Sequence, residues 1–448
     1  VVQGGTFYND AVLRAFEQEL GREVTRPTIA GIMGAFGAAL AARNLGLERS
    51  TLLGPKELES FSHTARPVTC NLCTNHCALT VNTFDGGRRF ISGNRCSRPL
   101  GKEKVELPDL YRYKYQKLRA MEGKGCGDGS RGRVGIPFGL NMYENLPFWF
   151  ELFTRLNFEV VLSPESSRKL YIKGQRTIPS DTVCYPAKLL HGHVEALVEA
   201  GVDAIFYPCM PYNFDEKTSD NFYNCPVVAY YPELLAANVP DLKKTRFLNP
   251  YTGLHRPRDY ERIGSQWFAD TFGVPRKETA AAIRAAYEAY DAYKEDIRAT
   301  GQAYIDQARK EGRSIIVLAG RPYHIDPEIN HGINDLITSF GFVLVSEDAV
   351  AFHEGYAPRK VLNQWTFQSR MYNAARYVCE QPDMQLIQLV SFGCGTDAIT
   401  GDEVRSILES GGKLYTQLKI DDISNLGAVR IRVRSLMAAM EEREKQNA

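Results

Sequence analysis

Apolar residues recur along the chain at two spacings, and the changes of spacing mark where elements begin and end. "DAVLRAFEQELG" puts Val12, Leu13, Phe16 and Leu20 on one helical face, with Gly21 placed to cap the end. "TIAGIMGAFGAALAARNLG" is rich in small residues and predicts a second, closely packing helix. Ahead of both, "VVQGG" reads as a short strand followed by a tight turn at Gly4 and Gly5. From residue 133, short apolar runs alternate with helical patterns: strands in "RVGIPFGL", "FEVVLS" and "DAIFYP", helices over "YENLPFWFELFTRLN" and onward from Pro186. Residues 276–311 carry the longest helical pattern. Ile283, Tyr287, Tyr290, Ile297, Tyr304 and Ala308 share its face, which predicts a tyrosine-rich packing stripe bridging two lobes. The alternation then returns, with strands in "SIIVLAG", "FVLVSE", "LIQLVSFG" and "KLYTQLKI". "DPEINHGINDLITSFG" predicts one helix, capped by Asp326 with Pro327 first, and "AVRIRVRSLMAAMEEREK" a closing amphipathic helix.

Strands separated by helices predict an α/β fold with two Rossmann-like lobes and mostly parallel sheets. The expected divisions are a fragment at 1–48, a Cys-rich metal-binding segment and linker at 49–132, the first lobe at 133–240, a helical connector at 241–312 and the second lobe at 313–448. The glycine-rich "GKGCGDGSRGR" supplies the linker and makes Cys126 a bystander.

Composition narrows the partners. Hydrophobic residues make up 44% of the 448 positions and charged residues 24%, with a formal net charge of +1. That balance offers nothing to attract nucleic acid or an anionic membrane. No apolar run reaches the length of a membrane span and no signal peptide opens the chain, so a cytoplasmic location is expected. The chain opens Val1-Val2 and is expected to continue a longer polypeptide.

Ten cysteines are too sparse for a disulfide scaffold at this length, and their grouping points to metal in a reducing compartment. Cys70, Cys73, Cys77 and Cys96 form C-x2-C-x3-C-x18-C, which can close a tetrahedral zinc site or hold a cubane; the tight triplet leans toward [4Fe–4S]. His76 between them is a loop residue. A second group is dispersed. In "DTVCYPAKLLHGH", Pro186 opens a helix, which leaves Cys184 at its positive mouth, where a thiolate is favoured. Lys188, His191 and Glu195 share one face of that helix, while His193 points elsewhere. Cys209 ends the strand in "AIFYP", and Cys394 ends "LIQLVSFG" between Gly393 and Gly395. Ligands of parallel α/β sheets bind beyond the carboxyl ends of the strands, so Cys184, Cys209 and Cys394 are expected to meet in one crevice. Cys225 either joins them as a fourth ligand or starts a strand. Cys379 reads as structural. His324 and His331, in "RPYHIDPEINHG", follow a strand and are expected to line the same crevice. No phosphate-binding glycine loop, nucleophile elbow or H-E-x-x-H pattern is present in the sequence.

"VGIPFGLNMYENLPFW", "IPSDTVCYPAKLLHGH", "IFYPCMPYN", "RPYHIDPEINHGI" and "LVSFGCGTDAITGDEV" resemble the large fused proteins called acyl-CoA dehydratase activase-related, or CoA-substrate-specific enzyme activases. In these, ATPase modules of the actin/Hsp70/sugar-kinase superfamily precede a region similar to 2-hydroxyacyl-CoA dehydratase subunits. "VVQGGTFYNDAVLRAFE" and "GAFGAALAA" resemble the tail of such a module, where glycines matching Gly4 and Gly5 let backbone approach adenosine. Phosphate-binding loops would lie upstream, so ATP is expected only with that upstream module of the same polypeptide. The resemblance implies a [4Fe–4S] cluster, one or two per chain, on Cys184, Cys209 and Cys394, fed with low-potential electrons by the activase. Lys188, His191 and His324 are the catalytic candidates, and the substrate is an acyl-CoA or another small molecule. A double-cubane reductase, shared between two subunits of a homodimer, is a related expectation. A non-catalytic, zinc-stapled assembly or regulatory module is the contrasting one.

Overall fold

The computed structural model describes residues 1–46, 52–71, 77–94, 99, 107–122, 128–352, 362–391, 394–421 and 426–447. Its opening part holds helices α1 (Asp10–Leu20), α2 (Met33–Asn44) and α3 (Pro55–Glu59). Asn9 caps α1 by accepting the Ala11 N–H at 3.0 Å, and Gly21 closes it with a left-handed φ of 63°. Residues 1–4 form no strand. Val2 makes one backbone bond, to the Thr25 carbonyl at 2.9 Å, and Gly4 at φ 101° turns the chain directly into a short 3₁₀ turn, Gly5–Tyr8. A strand needs a continuous edge to pair with, and this segment's other backbone bond, from the Gly4 N–H at 2.8 Å, goes to the Ala30 carbonyl, five residues beyond Thr25. Strands β1 (His63–Thr69), β2 (Ala78–Phe84) and β3 (Arg89–Ser92) make a three-stranded sheet in that order. The chain divides into two compact units, Val1–Ala65 with Asn82–Phe90, and Arg66–Val81 with Ile91–Ala448.

The second unit contains both lobes. Helix α4 (Leu110–Arg119) precedes β4 (Arg133–Ile136), α5 (Met142–Arg155), β5 (Glu159–Leu162), α6 (Arg168–Gly174), α7 (Tyr185–Glu199), β6 (Ala204–Phe206), α8 (Pro226–Asn238) and β7 (Arg246–Leu248). Helices α9 (Pro257–Phe272) and α10 (Arg276–Lys310) follow. The second lobe comprises β8 (Ile315–Ala319), α11 (Pro327–Asn330), α12 (Ile333–Ser339), β9 (Val343–Ser346), α13 (Glu347–Val350), α14 (Thr366–Glu380), β10 (Met384–Ser391), α15 (Gly395–Ser410), β11 (Thr416–Ile420) and α16 (Leu426–Asn447). Each lobe has a four-stranded sheet, β5-β4-β6-β7 and β11-β10-β8-β9. All pairings are parallel, with Val134 opposite Val160 and Ala204 in one, and Leu318 opposite Ser346 and Ile387 in the other. Every residue of β8 and β10 is buried, as expected of parallel strands covered on both faces.

The structure departs from the sequence pattern in three places. β7 lies within the expected connector and completes the first lobe's sheet. The helix expected over 326–341 breaks into α11 and α12, because His331 (φ 54°) and Gly332 (φ 80°) are both left-handed. "YRYKYQKLRA", read as part of an irregular segment, forms α4 and buries Leu110, Tyr111, Lys114, Tyr115 and Leu118.

α10 is the bridge that its stripe predicts. It packs on α5 and α9 on one side and on β9 and α13 on the other. Ile283, Tyr290, Ile297 and Ala308 are buried, with Tyr290 stacked on Phe214 at 4.5 Å. The lobes are also joined by buried charge. Arg370 of α14 binds Glu144 of α5 and, at 2.7 Å, Glu216 of the first lobe. Lys114 of α4 binds Asp348 of α13 at 2.5 Å.

Candidate functional site

Three cysteines stand at the N-termini of three helices. Cys184 is the N-cap of α7, Cys225 of α8 and Cys394 of α15, each in extended backbone. Pro226 forces the extended conformation on Cys225, and its own missing N–H costs nothing at the first helical position. α7 begins at Tyr185, one residue before the Pro186 predicted to open it. Cys225 therefore opens a helix and does not start a strand. Its sulfur accepts the Val228 N–H at 3.4 Å.

The three thiols act on one another electrostatically, and Arg321 acts on the thiols of Cys184 and Cys225. Arg321 follows β8 and is 3% exposed. Its Nη2 donates to Cys394 Sγ at 3.3 Å, to Thr396 Oγ1 at 3.4 Å and to the Asp397 carboxylate. Asp397 is held in turn by the Ser391 N–H at 2.8 Å. The loop carrying Arg321 is fixed from behind. Glu347 accepts the Gly320 N–H at 3.2 Å, and His324 Nδ1 accepts the Arg321 N–H at 3.1 Å. Tyr207 and Tyr323, both buried, also lie within electrostatic reach of Cys184 and Cys225.

A helix N-terminus does not by itself make Cys184 a thiolate. Desolvation around its sulfur pushes the pKa up to about 12, against a smaller opposing effect of the Ala187 N–H. Burial raises Cys225 as well. Both thiols keep their protons until a cationic group displaces them.

The remaining candidates fall in several places. Cys209 is fully buried and tied into backbone, its N–H to Pro250 O at 3.0 Å and its carbonyl to Thr252 N at 2.9 Å. Its thiol is raised to about 11, first by burial and then by Glu233, with the Glu233 backbone N–H opposing; its charged neighbour is thus in α8 and not among the other cysteines. Lys188 is buried on the first turn of α7. His191 has both ring nitrogens engaged, Nδ1 with Thr177 Oγ1 at 2.8 Å and Nε2 with Tyr231 OH at 3.1 Å, and burial lowers its pKa to about 4. His324 supports the Arg321 loop and is held well below its ordinary pKa by burial and then by Arg321. His331 Nε2 meets the Asp421 carbonyl at 2.6 Å. Cys379 donates to Ile407 O at 3.5 Å. Gly4 and Gly5 have open space where a side chain would begin. Cys70 and Cys77 close the hairpin between β1 and β2, the Cys70 N–H bonding Cys77 O at 2.9 Å, and each is 7% exposed. Cys73, His76, Cys96, Cys126 and Gly393 lie outside the described residues.

Sequence reasoning did not find Arg321 or Tyr207. It also missed a buried relay across the lobes: His193 bonds Ser163 Oγ at 2.7 Å and Ser166 Oγ at 3.0 Å, while Ser166 and Tyr143 both donate to Asp326. Asp326 is also the expected N-cap of α11, accepting the Glu328 N–H at 2.8 Å.

Among the described residues, no group of three or more His, Cys, Asp or Glu side chains converges closely enough to hold one metal ion. An iron–sulfur cluster is bound at separate corners, so its thiolates need not meet at a point. The donor set suits such a group: three sulfurs, three helix N-termini and a guanidinium to offset thiolate charge. The Tyr207 hydroxyl fits too, being buried with no hydrogen-bond partner among the described residues.

The fold and site define an α/β protein with two parallel-sheet lobes and three neighbouring thiols at helix N-termini. Residues 133–350 match the family described as CoA enzyme activase uncharacterised domain, so that stretch is similar to CoA enzyme activase-related proteins. No curated protein matches the chain. Among solved structures, two of N-acetyl-L-ornithine transcarbamylase are similar at 13% identity over 70% of each chain. Their TM-scores are 0.17, for a mutant complexed with PALAO, and 0.16; likeness at that level supports no conclusion about this chain. No described helix is long and apolar enough to cross a membrane.

Proposed function

We propose that the crevice binds an iron–sulfur cluster through Cys184, Cys225 and Cys394, and that the chain handles electrons for chemistry on CoA thioesters. The observation that carries this is the placement of three mutually interacting thiols on helix N-termini at the carboxyl edges of two parallel sheets. The family match to a CoA enzyme activase domain supplies the metabolic setting. When bound, the cluster supplies one-electron transfer at low potential. The protein's own part is to orient the thiols through α7, α8 and α15, to balance their charge with Arg321, and to exclude water with Tyr207, Tyr231 and Tyr323. An ATP-driven module of the same polypeptide is the electron source in this reading, and two such chains pair as a homodimer. Anaerobic purification with iron, sulfide and dithionite-reduced EPR measurements tests it. About four irons per crevice cluster are expected. Cys184→Ala, Cys225→Ala and Cys394→Ala should each remove them, whereas Cys209→Ala should not. Wild-type protein free of iron, or loss of iron only on Cys209→Ala, would overturn it.

A second metal is favoured at the β1–β2 hairpin. Cys70 and Cys77 are joined across its base by a backbone hydrogen bond, and in this reading they serve as two ligands of the C-x2-C-x3-C-x18-C motif for zinc or a further cluster. Zinc that survives Cys184→Ala and is lost on Cys70→Ala would identify it as a staple.

A further inference from the structure

Arg321 stands out among the buried cations. Its guanidinium is permanently charged, 3% exposed, and lies between one carboxylate, Asp397, and one sulfur, Cys394. Two unrelated elements prearrange it: the Gly320–His324 loop sets the backbone, and the first turn of α15 supplies Asp397. Such fixing is more than a neutralised ion pair needs, because Asp397 alone satisfies the charge. The same nitrogen, Nη2, that donates to Asp397 also reaches the sulfur. Within electrostatic reach of Cys184 and Cys225, Tyr207 is fully buried and its hydroxyl finds no acceptor among the described residues. A buried hydroxyl left unbonded is destabilising, so the position makes sense when an acceptor sits beside the thiols.

We infer that Arg321 and Tyr207 are positioning residues that form a donor layer around the thiol site and stabilise added negative charge there. This rests on the iron–sulfur reading and goes further, because it assigns the direction in which the protein tunes the group. Hydrogen bonds to cluster sulfurs and nearby positive charge both favour the reduced state. The guanidinium touches Cys394 Sγ at 3.3 Å and carries the Asp397 carboxylate as its counter-charge, and Coulomb interactions weaken with distance. The site is therefore built to take up and hold an electron, with Asp397 limiting the effect.

A redox titration of the anaerobically purified holoprotein, followed by EPR and absorption, reads this directly. Arg321→Gln and Tyr207→Phe should lower the midpoint potential, and Arg321→Lys should restore most of the loss. Asp397→Asn should raise it, since the guanidinium then acts uncompensated. Opposite signs at two residues in contact are not produced by general loosening of the site. Iron and sulfide should stay at the wild-type level in Tyr207→Phe and Arg321→Lys. Unchanged midpoints, shifts of one sign in all variants, or loss of iron from every variant would overturn the inference while leaving the cluster assignment standing. Iron-free wild-type protein would overturn both.

Discussion

The first lobe runs β4-α5-β5-α6-α7-β6-α8-β7, and the second runs β8, α11 with α12, β9-α13-α14-β10-α15-β11. Each builds its sheet by the same rule: the second strand pairs on one side of the first, the third on the other, and the fourth beyond it. The helix after the third strand is α8 in one lobe and α15 in the other, so Cys225 and Cys394 occupy equivalent places. The helix leading into the third strand is α7 or α14, and there Cys184 is matched by Trp365. After the first strand, the first lobe places Phe138, Leu140 and Asn141, with the Asn141 side chain donating to Met210 Sδ at 3.3 Å. The second lobe places Arg321, Tyr323 and His324. One topology thus makes two equivalent edges, and a few residues decide that one edge gives two thiols and the other one thiol with its counter-charge.

The comparison can be broken most severely where the lobes meet. Arg370→Met strips Glu144 and Glu216 of their shared buried cation, and should cost about 3–5 kcal/mol in urea unfolding. A loss under about 1 kcal/mol would show that the ion triad does not join the lobes. A smaller effect should be confined to the first lobe. At Gly192 a methyl group would sit 2.0 Å from the Leu170 carbonyl oxygen, so Gly192→Ala should force α6 and α7 apart at about 1–3 kcal/mol. Hydrogen exchange should then accelerate in α6 and α7 and stay unchanged in α14 and α15. The mildest effect is a pH dependence. Burial lowers His191 to about 4 and His193 to about 3, whereas unfolded histidine titrates near 6.5. Below pH 6.5 the unfolded chain binds protons that the folded chain refuses. Stability should be level above that pH and fall on acidification, by at most about 1.4 kcal/mol per pH unit for each site. His193→Gln should flatten the slope.

Much of the architecture was legible because parallel strands are uniformly apolar and the helices between them are not. The strand order was not, since β4 and β8 look like any other buried strand. The bridge in α10 could be read from its own periodicity. α4 could not: a tyrosine- and lysine-rich stretch looks solvated until Asp348, far along the chain, takes up Lys114. Cys184 was found because Pro186 marks a helix start. Cys-Pro at 225–226 carries the same signal, but "PVVAYY" is β-branched at its start and reads equally well as a strand. Arg321 gave no local sign of its role, which depends on Asp397 and Cys394 meeting it from another element.

α10 has a consequence for how anything enters the crevice. Its 35 residues make a rod about 52 Å long at 1.5 Å per residue, seated against α5 at one part and β9 and α13 at another. Two lobes splinted along one unbroken rod have no hinge between them. Swinging them apart would mean peeling the rod from one lobe and exposing Tyr290, Ile297 or Ile305 to water. Access is then a matter of side chains and short loops at the crevice mouth, and the spacing between the thiols of the two lobes is set when the chain folds.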